Sequence, residues 1–148
     1  MIKDKLSPKM EDYLEAISFI EEKKEVARVG EIADDLGVKS SSVNVMLKIL
    51  SGKGLLIHEK YGYIKLTKAG REIAEKIKER HHFLNKFLVK YLGVSKKIAA
   101  YDACGLEHSL SKETFAQFKK FVSFLEEDKD HQNINIHKGI EEYSNKNR

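Results

Sequence analysis

The stretch from Val29 to Leu66, VGEIADDLGVKSSSVNVMLKILSGKGLLIHEKYGYIKL, leaves a chain like this few ways to fold. Val29, Ile32, Ala33 and Leu36 recur at helical spacing, and Gly37 stands where such a helix ends. Lys39-Ser-Ser-Ser42 then offers N-cap hydroxyls to a second helix with a buried stripe of Val43, Met46, Leu47 and Leu50. Gly52 and Gly54 are expected to break that helix. Leu55–Lys60 and Tyr63–Leu66 flank a Tyr61-Gly62 turn, which predicts a β-hairpin. Two short helices about a glycine turn, followed by a hairpin, make a winged helix-turn-helix, whose second helix is shaped for a DNA major groove.

Charge points the same way. From Lys39 to Arg71 there are seven Lys/Arg and one acid, Glu59, a net +6 within a chain of +4. The remainder is therefore −2, and a basic block inside a mixed-charge chain is the footprint of a polyanion partner. The plainer reading, lysines that merely solubilise a surface, loses ground once the block coincides with the helix-turn-helix. Ser41, Ser42 and Asn44 at the start of the second helix are the candidates for base contacts. Lys39, Lys48, Lys53, Lys60 and Lys65 are the candidates for phosphate contacts.

The flanks read as helices. Ser7-Pro8 starts one that runs to about Lys23, with Met10, Tyr13, Leu14, Ile17 and Ile20 on one stripe. Asp12 and Glu15 fall nearly opposite that stripe and read as solvated carboxylates, although Phe19 on the same side suggests a cover. Val26-Ala-Arg28 offers a short strand to the wing. Thr67 caps a long helix to about Leu92, with Ile73, Ile77, Leu84, Leu88 and Tyr91 as its stripe and Gly93 at its end. His81 lies in that stripe, as a satisfied core residue or a ligand, while His82 points away. Ser95 starts the next helix, with Ala99, Ala103, Leu106 and Leu110 as its expected core face. Ser111 caps another to about Glu127, striped by Phe115, Phe118, Val122 and Leu125. A polar tail with a short helix near Ile134–Tyr143 follows, and His131 and His137 there lack supporting ligands.

Cys104, Glu107 and His108 stand at i, i+3 and i+4 on one flank of the helix after Ser95. A thiolate, a carboxylate and an imidazole on neighbouring turns suit a metal ion. A Cys–His nucleophile pair is the other chemistry available, but no oxyanion-hole loop or orienting third group accompanies it. The chain has 148 residues, enough for one domain and a smaller one. Its single Cys excludes an internal disulfide and fits a reducing cytoplasm. No apolar run approaches the roughly 18 residues of a membrane span, and the N-terminus lacks a signal-peptide core.

Taken together, MEDYLEAI, the winged helix-turn-helix, ERHHFL and CGLEHSLS stand in an order that resembles the diphtheria-toxin-repressor (DtxR/MntR) family of metal-activated transcription regulators. The resemblance covers residues 9 to about 127. It implies a mainly α fold: an N-terminal winged helix-turn-helix domain, expected over 1–70, then a helical metal-binding and dimerisation domain with a polar tail, expected over 71–148. The SH3-like third domain of longer members has no counterpart, which matches the shorter, manganese-sensing branch. The implied metal ligands are Asp12, Glu15, His81, Cys104, Glu107 and His108, and this gives Asp12, Glu15 and the inward His81 a purpose that spacing alone does not.

Two departures qualify the resemblance. Manganese sensors carry carboxylates at both variable ligand positions and iron sensors carry a Met and a Cys, whereas this chain combines Asp12 with Cys104. Sulfur favours softer ions and the Asp–Glu–His set suits Mn2+ or Fe2+, so Fe2+ satisfies both halves, with Mn2+ close behind and Co2+, Ni2+ or Zn2+ as substitutes in vitro. Asn85 and Ala100 stand where relatives place ancillary-site ligands, so a full second site is not expected, and a weaker one on His81 and Glu15 stays open. The function implied is that of a cytoplasmic, homodimeric, metal-activated repressor on a palindromic operator in double-stranded DNA, with no enzymatic activity and no membrane partner. The readings set against it are a winged-helix regulator answering a non-metal ligand, a dimeric interaction module with an incidental basic wing, and a metalloenzyme.

Overall fold

The computed structural model describes residues 6–59, 62–127 and 136–147. Lys60, Tyr61, His131 and Ile134 lie outside the described residues. The chain divides into two units, Met1–Glu79 and Arg80–Arg148, with the division falling inside one long helix.

The first unit opens with α1 (Pro8–Lys24), where Ser7 Oγ accepts the Met10 N–H at 3.3 Å and Pro8 occupies the first turn. Glu25 ends it in the left-handed region, φ 66°, with its N–H donating to the Glu21 carbonyl. β1 (Ala27–Arg28) leads into α2 (Val29–Leu36), which Gly37 closes at φ 62°, a conformation glycine adopts without a Cβ penalty. α3 (Ser40–Gly52) follows. Its cap differs from the expectation: Lys39 holds the N-cap position and no side-chain hydroxyl bonds there. The Lys39 carbonyl instead accepts the N–H groups of Ser42 and Val43 at 2.9 and 3.2 Å, and the three serines enter the first turn. Gly52 also stays helical, and the chain turns only at Gly54, φ 70°.

β2 (Leu56–His58) and β3 (Tyr63–Leu66) form the wing, and the sheet runs β1-β3-β2 with both pairings antiparallel. Ala27 faces Ile64 and Leu56 faces Leu66. At the wing's root Thr67 donates its N–H to the Leu55 carbonyl and its hydroxyl to the Gly54 carbonyl, while its Oγ1 accepts the Gly70 N–H. That fixes the start of α4 (Lys68–Lys90). Seventeen buried residues form the core of this unit, among them Tyr13, Leu14, Ile17, Ile32, Val43, Leu47, Leu50, Leu55 and Ile64.

The second unit holds the rest of α4, then α5 (Lys96–Ser109), α6 (Lys112–Glu127) and α7 (Ile136–Lys146). Ser95 Oγ accepts the Ile98 N–H at 3.4 Å, and Ser111 Oγ accepts that of Thr114 at 3.0 Å, so both expected caps are in place. Its core cluster contains four buried residues, Leu84, Leu88, Ala99 and Ala103. Leu106 departs from the expected stripe, being 37% exposed, and the inner position on that turn belongs to Glu107. Among the described residues no helix is long and apolar enough to cross a membrane.

Candidate functional site

In the second unit α4 and α5 approach closely because α5 presents Ala99 and Ala103, both 0% exposed, to Leu84 and Leu88. Continuing that line four residues on brings Glu107 inward, where an apolar chain would put a leucine. Its side chain is fully buried. A carboxylate withdrawn from water needs charged or hydrogen-bonding partners to be tolerated. His81 supplies one, its Nδ1 lying 2.8 Å from Glu107 Oε2, while His108 Nε2 stands 3.3 Å from Oε1 without making a hydrogen bond to it. His81 reaches this point because it sits between the buried Ile77 and Leu84 on the inner face of α4. The tautomer that donates Nδ1–H to Glu107 would leave Nε2 a lone pair for a ligand, the arrangement by which a carboxylate orients a metal-binding imidazole. Cys104 is one turn before His108 and is exposed. The oxygen, nitrogen and sulfur donors here fit a divalent transition metal and fit poorly with Ca2+ or Mg2+, which prefer oxygen alone.

Beside this cluster is a residue that sequence reading passed over. Arg80 Nη2 donates to the Leu110 carbonyl at 2.6 Å, and its guanidinium stands 5.2 Å from the Phe115 ring centre. It thus fastens the end of α5 and the start of α6 to α4, immediately next to His81. Its position in ERHHFL was the available signal, but its partner is 30 residues away.

In the first unit Asp12 and Glu15 are half-buried on α1, three residues apart and therefore on one flank, clear of the buried Tyr13, Leu14 and Ile17. The cover over Phe19, on the same side, is the Lys23 ammonium 3.7 Å above its ring.

The candidate DNA surface belongs to the first unit as well. Lys39, Ser41, Ser42, Asn44 and Lys48 are exposed, Lys53 is half-buried, and Lys65 is exposed on β3 opposite Ile57. Lys60 is outside the described residues. Two further residues of α3 share this solvent-facing side, Val45 at 60% and Ile49 at 39% exposure. Their absence from the stripe Val43, Met46, Leu47 and Leu50 was the signal for them. Glu31 accepts hydrogen bonds from the Lys24 ammonium and the Arg28 N–H, joining the end of α1 to the start of α2. The Lys24 hydrogen bond is the main cause holding its carboxyl below the usual range.

Comparison with known proteins agrees with this arrangement. Residues 5–64 match the family model described as iron dependent repressor, N-terminal DNA binding domain, and residues 67–135 match the one described as iron dependent repressor, metal binding and dimerisation domain. The chain is 38% identical over 122 residues to the HTH-type transcriptional regulator MntR of Geobacillus kaustophilus (strain HTA426), covering 82% of this chain and 86% of that one. It is also 38% identical to MntR of Bacillus subtilis (strain 168), over 82% and 85% of the two chains. Among solved structures it resembles the manganese regulator SloR, with TM-score 0.70 and 28% identity over 80% of this chain. A manganese-dependent transcriptional repressor in complex with manganese gives TM-score 0.71 and 29% identity over 78%. The chain spans about half the length of those two structures, 55% and 53%.

Proposed function

The chain belongs to the iron-dependent repressor (DtxR/MntR) family of metal-responsive, DNA-binding, dimerising transcription regulators, and on that footing we propose that it represses metal-homeostasis genes in the cytoplasm when Fe2+ or Mn2+ is plentiful. Asp12, Glu15, His81, Cys104, Glu107 and His108 hold the ion. The winged helix-turn-helix domain spans 1–70 and the helical metal-binding and dimerisation domain 71–148. The observation that carries this reading is the buried Glu107 carboxylate flanked by the imidazoles of His81 and His108, at the positions the family uses as ligands.

A bound divalent cation supplies the positive charge that relieves repulsion among the three carboxylates. The protein does the rest. Asp12 and Glu15 ride on α1, which packs with α2 and α3 in one core, so the posture of α1 sets that of the recognition helix. His81 and Glu107 orient one another, and Arg80 keeps α5 seated on α4. Favouring the DNA-competent posture requires a coupling of about 1–3 kcal/mol. By reciprocity, operator DNA tightens ion binding by the same factor.

On DNA, Ser41, Ser42 and Asn44 read base edges, and the methyl groups of Val45 and Ile49 suit thymine methyls. Lys39, Lys48, Lys53, Lys60 and Lys65 hold phosphates. A two-fold dimer places two such heads on a palindromic operator. The test is an anaerobic DNA-binding titration with Mn2+, Fe2+, Co2+, Ni2+ and Zn2+, run beside Cys104→Glu. The proposal expects ion-dependent binding in the wild type and a shift of preference toward Mn2+ in the variant. DNA retention that ignores every ion and chelator would overturn it.

A further inference from the structure

Among the described residues Glu21 is the one buried acid of the first unit, and neither the ligand set nor the DNA surface uses it. Its side chain is 3% exposed. Oε1 accepts the buried Leu66 N–H at 2.7 Å, and Oε2 accepts Arg71 Nη2 at 2.6 Å. One carboxylate therefore joins three elements: α1, the last residue of the central wing strand β3, and the first turn of α4. Partners 45 and 50 residues distant hid this from sequence reading.

An apolar residue here would avoid the cost of desolvating a carboxylate but would leave the buried Leu66 N–H without its acceptor. What the pair contributes is a fixed geometry, because both oxygens are directed at specific donors. Asp12 and Glu15 lie nine and six residues earlier on the same helix, and α1 has no internal proline or glycine to absorb a change of angle. His81 lies ten residues after Arg71 on α4. Both helices that carry candidate ligands in and next to this unit thus meet at Glu21, and the wing hangs from the same carboxylate. A second link between the two helices, Glu22 to Lys78, differs in that Glu22 is 54% exposed, so solvent weakens it.

We propose that Glu21 is the positioning residue that transmits the posture of α1 to the wing, coupling ion occupancy to DNA binding. This rests on the ion-activated reading above. Glu21→Gln keeps the side chain's shape and its bond from Leu66 but loses the charge facing Arg71. Glu22→Gln makes the same change of charge one residue away at an exposed site. The two variants and the wild-type full chain are measured with and without Mn2+, using duplexes that Mn2+-loaded wild type selects from a random pool. Hydrogen exchange of the Leu66 amide is followed in parallel.

The wild type gains affinity with Mn2+, and its Leu66 amide exchanges more slowly. In Glu21→Gln the Mn2+-induced gain falls about tenfold, within the range of ordinary allosteric couplings, and Mn2+ no longer slows Leu66 exchange. Glu22→Gln keeps the wild-type gain. A purely structural role would lower affinity equally with and without Mn2+ and leave the gain intact. That result, or an equal loss in Glu22→Gln, overturns the proposal while leaving the ion-activated reading standing. A wild type with no Mn2+ gain, or one that selects no duplex, overturns both.

Discussion

The two units are stabilised by different means. The first closes a core of seventeen buried residues and joins its elements through backbone hydrogen bonds at the wing root. Among the described residues the second has a core cluster of four, with Tyr91, Phe115 and Val122 buried outside it, and leaves Ile98, Tyr101 and Phe121 at 55%, 82% and 51% exposure. Fully burying a large apolar side chain is worth about 1.5–3 kcal/mol, so the first unit can stand on its own packing, whereas much of the second unit's apolar surface still faces water. Beside its buried alanines and leucines it also buries a carboxylate, Glu107, next to the His81 and His108 imidazoles. The contrast teaches that the first unit is closed by its own packing, whereas the second keeps apolar surface in water, as suits the metal binding and dimerisation domain whose family model it matches.

Substitutions and conditions can break or sharpen that contrast. The largest effect is expected from Leu47→Ala, at a position 0% exposed, which should cost about 2–5 kcal/mol in chemical unfolding followed by a probe in the first unit. Next is ion removal: withdrawing Mn2+ held at about 100 times its dissociation constant should cost about 2.7 kcal/mol. Hydrogen exchange should show the loss first around His81 and Glu107. Gly70→Ala comes third, since a Cβ there would lie 1.9 Å from the Leu55 carbonyl oxygen, and about 1–3 kcal/mol should be lost with a lower melting temperature of the first unit.

Phe121→Ser should leave the folded monomer nearly unchanged but weaken the dimer by about 1–2 kcal/mol, read by sedimentation equilibrium. An unchanged dimer would place the subunit interface on another face. The smallest effect concerns pH. Glu31 and Glu126 both have carboxyls held below their ordinary value, by the Lys24 and Lys90 hydrogen bonds respectively. A depressed carboxyl adds stability above its unfolded pKa, and that stability is lost as pH falls through the lowered folded value. Both pairs are exposed, so each should contribute within roughly 0–1 kcal/mol. Glu31→Gln and Glu126→Gln should flatten the acid limb of the melting curve only slightly, each in its own unit.

The winged unit was legible because its signals are local. Glycine placement and the spacing of Val43, Met46, Leu47 and Leu50 depend on neighbours within a few residues, and among these local signals the Lys39 cap and the helical Gly52 escaped. The candidate metal site was legible in pieces. Cys104, Glu107 and His108 announce themselves by spacing, but hydrophobicity favoured Leu106 for the inner position. The His81 imidazole helps to make a buried Glu107 affordable, and it is 26 residues away. Asp12 and Glu15 came from family resemblance alone. Arg80 and Glu21 were illegible for the same reason as Glu107, because their meaning lies in partners 30 to 50 residues off.

The seam at Gly70 has a mechanical meaning. There α4 rests on the Leu55 carbonyl with no side chain between them, so this joint has no rotamers to flex and no backlash. The first turn of the long helix therefore sits directly against the residue that leads into the hairpin, and the two keep one fixed spacing, like a hinge leaf cut from the same plate as its frame.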